Sequence, residues 1–81
     1  MSVMTGNLIG PRVRTARLAY TPAITQGRLA ERLQLRGWDI SRSGVAKIEA
    51  GLRRVTDVEV ALLADALGVT VAWLFEQPAE D

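Results

Sequence analysis

Residues 25–51 read TQGRLAERLQLRGWDISRSGVAKIEAG, and the folding of this stretch decides the rest. It divides into two short helices. The first opens at Thr25, whose hydroxyl suits the cap position because it can accept a first-turn backbone N–H. Ile24, Leu29, Ala30 and Leu33 supply its inner face at helical spacing. Gly37 ends it, being able to take the left-handed conformation found just past a helix, and Arg36 falls in the last turn, where a cation complements the helix dipole. The second helix opens at Ser41, another cap residue, runs to about Ala50 and stops at Gly51. Val45, Ile48 and Glu49 face inward, while Arg42, Ser43, Ala46 and Lys47 face outward.

Working outward, three more helices are predicted. One spans Gly10 to Tyr20, with Pro11 in its first turn, where the missing N–H costs nothing. Val13, Ala16, Arg17 and Tyr20 share one face, and Thr21-Pro22 stops the helix because the residue before proline avoids the α region. Another begins with Thr56-Asp57-Val58-Glu59, a capping box, buries Val60, Leu63, Ala64 and Leu67, and closes at Gly68. The last begins at Thr70, carries Val71, Trp73, Leu74 and Phe75, and stops at Gln77-Pro78. Two caps, two short helices and two glycines in this order form a helix-turn-helix pattern. The expected fold is all-α, a compact five-helix bundle over residues 9–76, with tails at 1–8 and 77–81.

Composition agrees. Hydrophobic residues make up 48% of the 81 and aromatics 5%, an aliphatic balance that suits packed helices better than a β-sandwich. Cysteine and histidine are both absent. Disulfides, the usual zinc sites, and catalysis by a histidine base or cysteine nucleophile are thereby excluded. No cofactor, metal or enzymatic activity is expected. No signal peptide or membrane span is read either, since the apolar run from Val60 to Phe75 is broken by Asp65, Gly68 and Thr70.

Charge is segregated along the chain. All ten basic residues lie between Arg12 and Arg54, and residues 1–56 hold only three acids, giving 10 − 3 = +7. Residues 57–81 hold six acids and no base, giving 0 − 6 = −6, so the net is +1. Such asymmetry suggests a polyanion-binding surface in the first part.

The segments Thr25-Gln26-Gly27-Arg28-Leu29-Ala30 and Ser41 to Gly51 together resemble the lambda repressor/Cro-like helix-turn-helix family. The stretch from Ala66 to Phe75 resembles that family's closing pair of helices, and the likeness extends from Ile9 to Phe75. It implies a bundle whose second and third helices read DNA, the third lying in the major groove with its N-terminal residues at the base edges. By position, Arg42, Ser43 and Lys47 match base-reading residues. Gln26 matches a glutamine that touches a phosphate and braces the first reading residue. Arg17 and Glu49 match a buried ion pair between the first and third helices.

Elementary chemistry supports these assignments. Arg17 and Glu49 both sit on apolar faces, and a lone buried charge is so costly that two opposite ones should meet. Arg42 lies in a first helical turn, where a cation opposes the dipole but a guanidinium can grip guanine O6 and N7. Thr25, Gln26 and Arg28 stand at a helix N-terminus, a natural place for phosphate. Arg53 and Arg54 follow the reading helix and are further phosphate-binding candidates.

Two departures from the family pattern stand out. Gly27 and Arg28 replace an acidic pair, and the seven residues Gln34–Ile40 lengthen a normally short turn. Trp38 or Ile40 must then anchor the longer loop. The function expected is sequence-specific double-stranded DNA binding by a bacterial or phage regulator, most simply a cytoplasmic repressor acting as a homodimer. The alternative is a protein-interaction module of the same fold, such as an antitoxin-like partner. The basic residues kept on the outward face favour DNA.

Overall fold

In the computed structural model, residues 6–76 are described. The predicted stop at Gln77-Pro78, the tail at 77–81 and the first five residues of the N-terminal tail lie outside them. Over the described residues five helices follow in order: α1 (Gly10–Leu18), α2 (Gln26–Leu35), α3 (Arg42–Glu49), α4 (Asp57–Leu67) and α5 (Val71–Phe75). Among the described residues there is no strand.

Four of the helices start in the same way. Thr25, Ser41, Thr56 and Thr70 each adopt an extended backbone, and each hydroxyl accepts the N–H three residues on. One otherwise unpaired donor per helix is thus satisfied. At α4 the box is complete, because Glu59 also accepts the N–H of Thr56 at 3.0 Å. Gly37 and Gly51 have φ of 91° and 74°, conformations that bulkier residues resist, and they follow the ends of α2 and α3.

The core forms where the inner stripes converge. Val13 and Ala16 of α1, Leu29 and Leu33 of α2, Val45 and Ile48 of α3, and Leu63 and Leu67 of α4 are all buried. Leu74 plugs the end of the bundle from α5. The α2–α3 pair packs on α1 and α4, so both of its helices have one buried side.

α1 is two residues shorter than the sequence predicts. It ends at Leu18, and Tyr20 leaves the helical path to donate its hydroxyl proton to the carbonyl of Leu67 at 2.7 Å. A tertiary hydrogen bond there replaces the last helical turn.

The lengthened turn is built from both its ends. α2 gains length up to Leu35, and Gln34 Nε2 reaches across to the Ile40 carbonyl at 2.7 Å. Trp38 N–H donates back to Leu33 at 3.0 Å. Ile40 is 4% exposed and enters the core, while Trp38 is half-buried against it. Burial of one such side chain stabilises by about 1.5–3 kcal/mol, which offsets part of the entropy lost in ordering the loop. Leu35, at 86% exposure, takes no part.

Residues ahead of α1 are also tied down. Gly6 N–H donates to Gly51 O at 2.7 Å, and the Asn7 side chain bonds to three backbone groups. The segment at Gly6 and Asn7 is therefore bonded to the bundle ahead of Ile9.

Candidate nucleic-acid interface

α3 has two unlike sides. Val45 and Ile48 are fully buried, Glu49 is buried with them, and Gly44 lies under the helix against Ile40. On the other side Arg42, Ser43 and Lys47 are exposed, with Ala46 half-exposed beside them. Neither Arg42 nor Lys47 makes an ion pair among the described residues. Their charges are therefore available to a partner from outside.

Arg42 is supported from α2. Its Cδ lies 3.6 Å from the point where a Gly27 Cβ would stand, so the alkyl stem rests over the start of α2. Gly27, which departs from the family pattern, provides the open surface for it. Ser43 Oγ lies 3.4 Å from Ser41 Oγ, the capping hydroxyl.

Beneath this face sits the one strongly buried ion pair among the described residues. Arg17 Nε and Nη2 donate to Glu49 Oε2 and Oε1 at 2.7 and 3.0 Å, and both residues are under 10% exposed. Arg17 Nη1 donates to the Ile24 carbonyl at 2.8 Å. Gln26 Nε2 donates to Glu49 Oε1 at 3.1 Å. The amide is thus turned toward Glu49, with no hydrogen bond to Arg42, the residue that the family pattern has it brace. One of its two amide hydrogens remains for an external acceptor.

The other candidate phosphate ligands are spread around α3. Thr25 caps α2 with its hydroxyl, and Arg28 forms an exposed pair with Glu31 at 3.3 Å. Arg53 is half-exposed, with its guanidinium 5.7 Å from the centre of the Trp38 ring and 3.9 Å from Glu59. Arg54 is exposed and unpaired among the described residues. Exposed pairs of this kind are weak, and a phosphate can replace them.

Three further bases serve the fold. Arg12 stacks 3.6 Å over the Trp73 ring and donates to the Trp73 carbonyl. Arg32 donates to Ala66 O, and Arg36 pairs with Asp65 at 2.7 Å. The positive charge counted from sequence therefore divides into internal ties, a smaller free set around α3, and Arg14, exposed on α1 with no ion pair among the described residues.

Sequence reasoning missed Asn7. Its Nδ2 donates to Ile48 O at 3.1 Å and to Arg53 O at 2.9 Å, while its Oδ1 accepts from Gly10 N–H at 2.7 Å. The available signal was a pair of nearby glycines, Gly6 just before it and Gly10 three residues on. A Cβ at either would collide with the backbone of Arg53 or of Ile48.

No described helix is long and apolar enough to cross a membrane. No match is found among curated proteins or solved structures. A helix-turn-helix family model matches residues 23–74, more than half of the chain, and takes in α2 through most of α5. The chain belongs to the lambda repressor/Cro-like helix-turn-helix family of DNA-binding regulatory domains.

Proposed function

We propose that this chain binds specific double-stranded DNA sites as a homodimer and represses transcription in the cytoplasm of its host. The observation that carries the reading is the outer side of α3. Arg42, Ser43 and Lys47 stand exposed on a helix whose other side is fixed by Val45, Ile48 and Glu49. A rigid helix with cationic and hydroxyl donors on its free side fits the major groove, where base edges present acceptors. Arg42 reads a base, and Ser43 and Lys47 add contacts one step and about one turn further along. Thr25, Gln26, Arg28, Arg53 and Arg54 hold the flanking phosphates.

The dimer is supported by exposed apolar residues on α5. Val71 and Phe75 are 43% and 47% exposed, and a two-fold contact through them would bury both. Two reading helices related in this way enter successive major grooves about 34–36 Å apart.

Selection of preferred sites from random duplex DNA tests the reading. The wild-type chain is expected to enrich a two-fold-symmetric sequence. Arg42→Ala should relax preference at one base position per half-site, and Arg54→Ala should weaken all duplexes alike and lower the salt dependence. Failure of the wild-type chain to enrich any sequence would overturn it.

A further inference from the structure

Asn7 occupies a junction of the fold next to the candidate interface. Its side chain uses both functional atoms and joins three segments: the start of α1 at Gly10, the end of α3 at Ile48 and the following loop at Arg53. Two of these partners lie 41 and 46 residues away. Ile48 O is one of the last carbonyls of α3, which lack donors inside their own helix. It accepts both Gly51 N–H at 2.9 Å and the Asn7 amide. Gly6 N–H adds a bond to Gly51 O, so the segment from Gly6 to Asn7 runs along residues 48–53.

The loop held in this way carries Arg53 and Arg54. Leu52 and Arg54 are exposed there, and besides Asn7 the loop is held by the Leu52 N–H on Lys47 O at 2.9 Å and by Val55 against the core.

We propose that Asn7 is a positioning residue for DNA binding: its amide fixes the spacing between the end of the reading helix and the loop whose cations contact phosphate. The proposal rests on the DNA-reading role of α3 argued above. Arg42 and Ser43 read from the other end of α3, and the Asn7 side chain bonds to none of Arg42, Ser43 and Lys47, so Asn7 governs the strength of the phosphate grip and not the base preference.

The test compares wild type, Asn7→Ala and Asn7→Ser on the duplex selected by the wild-type chain, over a range of salt concentrations. Serine keeps an acceptor for Gly10 N–H but lacks the forked donor that reaches Ile48 and Arg53. Both variants are expected to keep their helical circular dichroism and the same preferred site. Both should bind on the order of tenfold more weakly, the scale of two lost hydrogen bonds. The slope of log K against log salt should fall by about one, as for one lost phosphate contact. In the Asn7→Ser background, Arg54→Ala should cost less than it does in the wild type, because the two act on one contact.

A folded variant with wild-type affinity and slope would overturn the proposal. So would a changed base preference at unchanged slope, or loss of the fold in both variants. A wild-type chain that selects no duplex would instead overturn the DNA-reading role beneath it.

Discussion

Gln26 Nε2 donates to Glu49 Oε1 at 3.1 Å, joining the first residue of α2 to the last of α3. The same carboxylate accepts both arms of Arg17 from α1. One buried anion therefore gathers three helices, and the relative placement of α2 and α3 depends on it. A position that the family pattern assigns to DNA contact is also wired into the interior.

Removing Glu49 should be costly. Glu49→Ala leaves a buried guanidinium without its partner, and stability should fall by about 3–5 kcal/mol. The urea midpoint measures this, with the m-value unchanged if folding stays two-state. Replacing Arg17 and Glu49 together with methionine and leucine should recover much of the loss, since no charge is left unpaired. A Glu49→Ala midpoint equal to that of wild type would show that the pair is energetically idle.

Two glycines in the helix-turn-helix should respond in opposite directions to alanine. At Gly27 the nearest atom to an added Cβ is Arg42 Cδ at 3.6 Å, an ordinary contact. Gly27→Ala should therefore raise stability by up to about 1 kcal/mol through helix propensity. At Gly44 the Cβ would fall 2.6 Å from Ile40 Cγ1 in the core. Gly44→Ala should lower stability by about 1–3 kcal/mol despite its better propensity, because the packing must shift. Thermal melts of the two variants should move to either side of the wild-type midpoint.

The lengthened turn has one anchor in the core. Ile40→Ala should cost about 2–5 kcal/mol, as other large-to-small core changes do. Leu35→Ala, five residues earlier in the same connection, should stay within about 0.5 kcal/mol of wild type. Equal losses for the two in chemical denaturation would mean that the turn is not held through Ile40.

Much of this architecture was legible in the sequence because its signals are local. A capping hydroxyl finds its N–H three residues away, as at Thr25 and Ser41, so the pattern needs no tertiary information. Periodic apolar residues likewise marked the buried sides of α2, α3 and α4. What escaped depends on approach between distant segments. Tyr20 was assigned to α1, yet its hydroxyl is drawn to Leu67, 47 residues on. Asn7 reads as part of a tail because the glycines near it, Gly6 and Gly10, mark a close approach without showing that Ile48 and Arg53 are what converges there. Arg36 was assigned to the dipole of its own helix; it does bond the Arg32 carbonyl, but it also spans to Asp65 on α4. Base counting gave the sign of the surface, but only the contacts separate Arg12 and Arg32, spent on aromatic rings and carbonyls, from Arg42, Lys47 and Arg54.

The most direct measurement follows backbone amide resonances while the selected duplex is titrated into the labelled protein. The largest changes should fall on residues 41–47 and on 25–28 at the start of α2, with smaller ones at 53–54 and almost none on α4. Changes centred on α4 and its acidic side chains, with 41–47 unmoved, would contradict a reading role for α3.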